Sequence, residues 1–299
     1  MLYNNYSTYI RRTYPDKKVI KVCIDGGFTC PNRDGRVSKG GCIFCGERGA
    51  GEHIARRVPS EQIAHFKNKC PKAELFLAYF QNFTNTYAPV SVLKERYDSA
   101  LLDKDVAGLI IGTRPDCIDG EIADLIASYT ATHDVWVELG LQSSSDETGE
   151  LINRGYKSEC FAEAVRLLHS RGIRVVAHII VGLPGESREE VMATVGFVNS
   201  LDVWGVKLHS LYVMKGTVLE EMYNRGEYTP PTLFEYASIT AEALARLKPS
   251  MIVHRITGDC QAELLVAPEW NGDKDGMIDA VRKEMRRNGW RQGTLYQGE

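Results

Sequence analysis

Short runs of β-branched and aromatic residues alternate along the chain with segments whose apolar residues recur at spacings of three and four. The runs have the composition of strands, and the spacing between them is that of helices that bury one face. One helix is predicted to begin at Ser187, because Glu190 stands three residues later in capping-box register. The six predicted strands lie at residues 19–25, 75–80, 108–112, 135–141, 174–181 and 205–213.

Regular alternation of strand and helix predicts an α/β fold with a parallel sheet and right-handed crossovers. Six units are fewer than the usual eight, so we predict a partial (β/α)6 TIM-type barrel over residues 19–231. Residues 1–18 form an N-terminal lead, and residues 232–299 form a C-terminal α/β extension that is a candidate substrate or RNA contact. The elements predicted in the extension are a helix ending near Lys248, a strand at 251–256 and a last helix at 277–288.

The composition of the 299 residues, 43% hydrophobic and 25% charged, is ordinary for a globular protein. The formal net charge of −3 means that a polyanionic partner must meet a local basic patch, because the whole chain does not attract it. No apolar run approaches the roughly 20 residues of a membrane span, and the first residues lack the apolar core of a signal peptide. We therefore predict a cytoplasmic protein with no membrane partner.

Three cysteines, Cys30, Cys42 and Cys45, lie in a segment rich in glycine and polar residues, which we call the cysteine loop (residues 26–46). Thiolates are soft ligands that suit zinc or iron–sulfur clusters. Three thiolates leave one iron of a four-iron cluster open to a reacting molecule. The alternative is a structural zinc site completed by His53. The remaining cysteines stand singly and are predicted to be small core residues: Cys23, Cys70, Cys117, Cys160 and Cys260.

Polar side chains lie at the ends of the other predicted strands. Because the carboxyl ends of barrel strands meet at one end of the barrel, these side chains should converge on the cysteine loop. An arginine at a strand end can clamp a carboxylate or phosphate with two hydrogen bonds, although a surface ion pair explains Arg114 as well. A histidine within a strand can equally be a satisfied core residue. The candidates are Gln81, Asn82, Arg114, Gln142, Ser144, Arg154, His178, His209 and Tyr212.

These features together resemble the radical S-adenosylmethionine (radical SAM) superfamily, in the branch that includes oxygen-independent coproporphyrinogen oxidase and the elongator catalytic subunit. The Cys-x-aromatic-Cys ending at Cys42, Phe44 and Cys45 is kept, whereas the eleven residues between Cys30 and Cys42 are more than the superfamily commonly has. Four further segments extend the resemblance to the YhcC/YtqA family over nearly the whole chain. They are Gly-Phe-Thr-Cys-Pro-Asn-Arg-Asp-Gly at 27–35, Tyr-Phe-Gln-Asn-Phe-Thr-Asn-Thr-Tyr at 79–87, Thr-Arg-Pro-Asp at 113–116 and His-Arg-Ile-Thr-Gly-Asp at 254–259.

The resemblance implies two cofactors, a [4Fe-4S] cluster held by the three cysteines and S-adenosylmethionine (SAM) chelated to its fourth iron. It places Phe44 beside the adenine, and it implies that Gln142 and Arg154 contact the cofactor. His178 stands where the branch has an aspartate near the ribose, which Ser144 can also reach. Side-chain amides, those of Gln81 and Asn82, replace the acidic stretch that receives the amine in many members. An electron donor such as flavodoxin or ferredoxin is implied as a partner.

The resemblance also implies a substrate, the wobble uridine of tRNA, whose 5-carboxymethylaminomethyl group (often with 2-thiolation) would be converted to 5-aminomethyl. Arg114 or Arg255 would suit its carboxylate. His254 and Arg255 are expected at the barrel mouth as substrate contacts, although a structural ion pair explains them equally well. His209 and Tyr212 are further catalytic candidates. A basic flank of the last helix, followed by Trp290, is a candidate RNA contact, with a solvated helix face as the alternative. That flank consists of Arg282, Lys283, Arg286 and Arg287.

Two other functions remain open from the sequence. One is a radical SAM enzyme that acts on a small metabolite or a peptide, which the net acidity favours. The other is a non-catalytic barrel stabilised by zinc at Cys30, Cys42, Cys45 and His53. DNA is not expected as a partner.

Overall fold

Seven parallel strands form one sheet in the computed structural model, which describes residues 1–49 and 58–298. Their order in the sheet is β1, β2, β3, β4, β5, β6 and β8, so β1 and β8 are its edges. The predicted α/β partial barrel is confirmed. The strands are β1 Val19–Ile24, β2 Leu75–Phe80, β3 Val106–Thr113, β4 Asp134–Gln142, β5 Arg174–Val181, β6 Gly205–Ser210 and β8 Ile252–Arg255, and a separate pair is formed by β7 Val213–Met214 and β9 Leu265–Ala267.

The seventh strand, β8, comes from the predicted extension and adds a strand to the six counted from the sequence. It pairs in parallel with β6, and Val253 forms a bridge with Asn5 of the N-terminal lead. More than forty residues separate β6 from β8, and they contain a short strand and two helices. The sequence before β8 therefore lacks the simple alternation of one strand with one helix from which the other six strands were predicted.

The helices cover the outer face of the sheet. Outward-facing strand residues, such as Val22, Leu109 and Val175, belong to the main core with apolar side chains of the helices. The capping box at Ser187 and Glu190 is confirmed at the start of α7. The helices are α1 Tyr6–Thr13, α2 Pro59–Lys69, α3 Val90–Ala100, α4 Gly120–Ser128, α5 Asp146–Leu151, α6 Ser158–His169, α7 Arg188–Ser200, α8 Val218–Asn224, α9 Leu233–Arg246 and α10 Lys274–Arg287.

Inward-facing residues of the strands enclose a space that we call the lumen, and Leu77, Tyr79 and Trp136 belong to its wall. The amino end of the lumen is closed by an aromatic cluster in which Tyr6 of α1 packs 6.3 Å from Trp136. The opposite end, where the strands finish, is the mouth. In the described part of the chain, no helix has the length and apolar character needed to cross a membrane.

Candidate functional site

Asp25, the residue after β1, organises the start of the cysteine loop. One oxygen, Oδ1, accepts a hydrogen bond from the N–H of Gly27 at 2.9 Å, and Oδ2 accepts one from Nδ2 of Asn82 at 3.1 Å. The side chain of Gln62 pairs with the backbone of Asp25 in both directions, at 3.0 and 2.8 Å. Arg48 lies 3.7 Å from Oδ2. This buried carboxylate therefore joins the cysteine loop to the loop after β2.

The second half of the cysteine loop is a turn docked on the barrel. The N–H of Cys45 donates to the carbonyl oxygen of Cys42 at 2.9 Å, and the guanidinium of Arg33 donates to the carbonyl oxygen of Cys45 at 3.0 Å. The N–H of Ile43 donates to the carbonyl oxygen of Ile152, in the loop after β4, at 3.1 Å. These bonds hold two of the three thiols over the mouth.

The thiols of Cys42 and Cys45 share a hydrogen bond, which lowers the pKa of Cys45 to about 7 and raises that of Cys42. Arg33 and Arg114 also favour the Cys45 thiolate, and Cys30 is close enough to influence Cys42. The thiolate is the form that binds iron and zinc. Three sulfurs on one loop, in a cationic environment, fit an iron–sulfur cluster.

Within residues 1–49 and 58–298, no three His, Cys, Asp or Glu side chains lie close enough together to hold one metal ion. A four-iron cluster takes its thiolates on separate irons, so its ligands stand farther apart than those of a single ion. His53, the fourth ligand of the zinc alternative, lies outside the described residues.

Two predicted cofactor neighbours lie at the mouth with partly exposed side chains. Phe44 packs at the edge of an apolar cluster that contains Ile180 and Leu183, at the end of β5. Gln142 ends β4 with a φ of 68°, a left-handed conformation that is uncommon for a residue other than glycine. Unusual backbone conformations cluster at functional sites, which favours a functional role for Gln142.

The two amides after β2 differ in their surroundings. Asn82 is buried, and while its Nδ2 bonds Asp25, its Oδ1 has no hydrogen-bond partner among the described residues. The neighbouring Gln81 is partly exposed, and its N–H donates to the carbonyl oxygen of Ile24 at 3.2 Å. The structure therefore places Gln81 at the surface of the mouth and Asn82 beneath it.

Arg154 is fully buried under the loop after β4, which differs from the predicted contact with a cofactor carboxylate. Its Nη1 donates to the carbonyl oxygens of Leu141 and Ser143 at 2.7 and 2.6 Å. Its Nε donates to the carbonyl oxygen of Tyr156 at 2.9 Å, and Nη2 donates to Asp146 at 3.2 Å. These bonds make Arg154 a residue that positions the loop carrying Gln142.

Arg114 and Ser144 are also engaged within the protein. The guanidinium of Arg114 donates two hydrogen bonds to Asp116, at 2.8 and 2.7 Å, and a third to the carbonyl oxygen of Arg154 at 2.9 Å. The hydroxyl of Ser144 lies 3.1 Å from that of Thr194 in α7. The guanidinium of Arg114 was predicted to bind a substrate carboxylate with two hydrogen bonds, but in the structure these two bonds are made to Asp116.

Glu138 lies at the centre of the lumen and is fully buried. Its Oε2 accepts from Nζ of Lys207 and lies 2.9 Å from Nε2 of His178, while Oε1 accepts from Nε1 of Trp136 at 3.3 Å and lies 3.7 Å from Nζ of Lys21. Burial raises the pKa of Glu138, but the attraction of the two lysines outweighs burial and holds the pKa well below its usual range. Burial lowers the pKa of Lys207 to about 8.

Above Glu138, the lumen leads to His178, which was predicted near the cofactor ribose, and to three predicted substrate-side residues. The rings of His178 and His209 are 5.1 Å apart, and burial lowers the pKa of both. The hydroxyl of Tyr212 donates to the carbonyl oxygen of Asp259 at 3.0 Å. Arg255 donates to Oδ2 of Asp259 at 2.9 Å. The structure thus brings these four predicted residues to the upper lumen and the mouth.

The expectation that His254 faces the mouth is wrong. Its ring packs 4.9 Å from Tyr6, 5.0 Å from Trp204 and 5.9 Å from Trp136, in the aromatic cluster that closes the amino end. Both ring nitrogens are buried with no hydrogen-bond partner among the described residues, and burial keeps the pKa well below its usual value. His254 is a core residue.

The basic flank of α10 is partly engaged in local ion pairs. Arg287 lies 2.8 Å from Glu284, and Arg282 lies 3.7 Å from Asp279. Trp290, predicted as an aromatic RNA contact, packs instead against the main core. An RNA contact by this flank stays a prediction.

Glu186, in the loop after β5, is a site residue that the sequence did not single out. Its carboxylate is buried beside Ser143, and burial raises the pKa more than the Ser143 hydroxyl lowers it, so the pKa of Glu186 is about 7. A raised pKa in the folded state stabilises the protein below the unfolded-state pKa of 4.5, and this contribution is lost as the pH rises to about 7.

We therefore expect Glu186→Gln to gain stability relative to the wild type as the pH rises from 5 to 8, because the amide has no charge to bury. The free energy of unfolding in urea at both pH values measures the gain. Glu189→Gln, an exposed change in the first turn of α7, is the control and should give the same difference at both pH values. An equal difference for Glu186→Gln at pH 5 and pH 8 would contradict the prediction.

Two protein-family models match the sequence of this chain. The model of the radical SAM superfamily matches residues 30–198, more than half of the chain, and that of the radical SAM C-terminal domain matches residues 203–287. The chain belongs to the radical SAM superfamily. Members bind a [4Fe-4S] cluster and SAM, so these predicted cofactors are confirmed, while the contacts of individual residues with them stay predictions.

Individual relatives show where this radical SAM enzyme belongs within the superfamily. It is 42% identical over 294 residues to YtqA of Bacillus subtilis (strain 168), covering 97% of this chain and 91% of YtqA, which confirms the predicted YhcC/YtqA resemblance. It is 34% identical over 180 residues to a tRNA uridine(34) acetyltransferase of Dehalococcoides mccartyi (strain CBDB1), covering 59% of this chain and 38% of that protein. Its fold is similar to that of Methanocaldococcus infernus Elp3 with an N-terminal deletion, with a TM-score of 0.71 at 21% identity over 92% of this chain and 64% of that chain.

Sequence reasoning did not assign roles to Lys21, Glu138 and Lys207. The signal was present, because each is a charged residue inside an apolar strand, and such a residue is buried only when it is paired. Which of these charged residues pair with one another could not be predicted, because the pairing depends on how the sheet curves and brings distant strands together.

Proposed function

We propose that this radical SAM enzyme modifies the wobble uridine of tRNA, converting the 5-carboxymethylaminomethyl group, with or without 2-thiolation, to 5-aminomethyl. The observation that supports it most is the similarity of the barrel to a protein named for its action on tRNA uridine 34. When bound, the cluster and SAM would supply a 5′-deoxyadenosyl radical able to remove a hydrogen atom from an unactivated carbon.

In this proposal the side chains of the mouth and lumen divide into three groups. Cys30, Cys42 and Cys45 hold the cluster. Phe44, Gln81 and Gln142 border SAM, and Asn82, Ser144 and Arg154 position the loops that carry them. His178, His209, Tyr212 and Arg255 face the substrate. The barrel wall around the bound substrate would keep water and competing hydrogen donors away from the reacting carbon.

The reaction removes a hydrogen atom and then an electron from the carboxymethyl methylene, which leaves an iminium carbon. Water adds to that carbon, the carbon–nitrogen bond breaks, and the products are the 5-aminomethyl group and a two-carbon aldehyde acid. The two electrons lost by the substrate equal those that convert SAM to methionine and 5′-deoxyadenosine, so no net oxidant is needed. In the tautomer that donates from Nε2 to Glu138, His178 presents Nδ1 as the acceptor for a proton of the water.

The test is mass spectrometry of tRNA nucleosides, together with anaerobic turnover. Cells that lack the protein should accumulate the 5-carboxymethylaminomethyl nucleoside and lose its 5-aminomethyl derivative. Reconstituted enzyme with SAM and a flavodoxin or ferredoxin as electron donor should convert that tRNA and form 5′-deoxyadenosine in equal amount. Unchanged wobble nucleosides in the deletion strain would show that the substrate is a different one.

A further inference from the structure

The wall of the lumen carries more cations than carboxylates. Lys21 and Lys207 share Glu138, and Arg255 and Lys274 share Asp259. Four cations thus meet two carboxylates, in a protein whose overall charge is −3. Lys21 and Lys207 face Glu138 inside the lumen, whereas Lys274 of α10 and Asp259, with side chains 49% and 43% exposed, lie at the protein surface.

Three of the four cations lie close together although they come from three strands. Arg255 of β8 lies opposite Lys207 of β6 next to an irregularity in the strand pairing, and its positive charge contributes to lowering the pKa of both Lys207 and Lys21. Lys21, across the lumen on β1, rests over the rings of Tyr6 and Tyr79, at 4.6 and 5.1 Å. The aromatic faces attract this cation, but they supply no counter-charge.

The same cations can be reached from the mouth. The side chain of Lys21 is 22% exposed and that of Arg255 is 31% exposed, although both belong to the lumen wall. The aromatic cluster of Tyr6, Trp136 and His254 closes the amino end, so the opening is at the mouth. Lys207 lies deeper, with 7% of its side chain exposed, and its Nζ also donates to the hydroxyl of Tyr79 at 3.2 Å.

Burying a net positive charge is costly, and an anionic ligand removes that cost. We propose that the lumen is a receptor for a carboxylate of the substrate, held by Lys207, Lys21 and Arg255. Arg114 is not part of this receptor, because two of its nitrogens bond Asp116 and the third bonds the carbonyl oxygen of Arg154, whereas Arg255 donates a single bond to Asp259. A carboxymethyl group on a base inserted through the mouth would meet the lysines. The identity of the inserted base rests on the proposed function; the receptor itself requires only a substrate carboxylate.

The test compares each acid with the carboxamide in which only the carboxylate is replaced by a neutral group, on cluster-loaded enzyme containing SAM, without a reductant. The first pair of probes is 5-carboxymethylaminomethyluridine and its carboxamide, with binding measured by calorimetry. The second pair is N-methylglycine and its amide, with binding measured as a shift in the unfolding temperature at constant ionic strength. A charge-assisted hydrogen bond favours the nucleoside acid by about 10- to 100-fold in the wild type.

Lys207→Met and Arg255→Met should each reduce the preference for the acid to about twofold or less, whereas Lys207→Arg should retain most of it. Lys72→Met, at an exposed position far from the lumen, is the matched control and should behave as the wild type. Arg255 is partly exposed, so its variant tests the receptor even where Lys207→Met folds poorly.

The outcomes separate the receptor from the proposed function. The receptor is overturned if the wild type fails to prefer the acid in both pairs, or if the preference survives in the Lys207 and Arg255 variants. Preference for N-methylglycine over its amide, without binding of the modified nucleoside, supports the receptor and counts against the tRNA substrate.

Discussion

Replacing Cys30, Cys42 or Cys45 singly by serine should abolish both cluster incorporation and formation of 5′-deoxyadenosine. A serine hydroxyl is a hard, weakly acidic donor, whereas iron–sulfur clusters are held by thiolates. Changing a residue that only orients a metal ligand typically costs about 10- to 100-fold in metal affinity or activity, and loss of a ligand itself should exceed that. Iron and sulfide content after anaerobic reconstitution and 5′-deoxyadenosine yield with a chemical reductant measure the two effects.

Cys70→Ser, at the end of α2, is the matched control and should keep both iron content and activity. Zinc bound in place of iron and sulfide in the wild type would favour the structural alternative. Variants at all three positions that retain full iron content and still cleave SAM would overturn the assignment of the cluster ligands.

Glu138→Gln should be the most destabilising single change in the lumen. The amide cannot neutralise Lys21 and Lys207, and its N–H2 group faces one of the donors that now bond the carboxylate. Leaving a buried charge without its partner typically costs about 3 to 5 kcal/mol. We expect a loss of this size in the free energy of unfolding, measured in urea, and a loss of turnover because His178 also loses its acceptor.

Glu159→Gln provides the control, because Glu159 forms an ion pair with Arg166 on an exposed surface. Exposed pairs contribute about 1 kcal/mol or less, so this variant should unfold almost as the wild type does. The double variant Glu138→Gln/Lys207→Met should recover part of the lost stability, since it removes both charges of the closest pair. Equal effects of Glu138→Gln and Glu159→Gln would refute the central role of Glu138.

Most of the secondary structure could be predicted from the sequence, because strand and helix signals are local. β2 and β5 have the predicted bounds, and the capping box at Ser187 marked the start of α7. The last helix begins at Lys274, three residues before its first apolar residue, because Asp273 caps it and periodicity detects only apolar positions. The strand at 251–256 was predicted, but its place in the main sheet was not.

The candidate site was predicted unevenly. The cysteine loop was identified from a short-range spacing, and the superfamily match confirms the predicted cluster and SAM, while the three cluster ligands stay predictions. The predicted roles of His254 and Arg114 depended on the direction of each side chain and on the residues that contact it, and neither can be read from the sequence. In the structure His254 turns to the aromatic cluster and Arg114 to Asp116, which stands only two residues away.

The sequence by itself determined the alternation of strand and helix, the cysteine loop and the superfamily, because each is encoded over short stretches of chain. Only the tertiary structure decided that β8 completes the sheet and that Lys21, Glu138 and Lys207 meet in one network. The last two are 69 residues apart in sequence. Their contact depends on strand register and on the curvature of the sheet, which arise only when the strands are packed together.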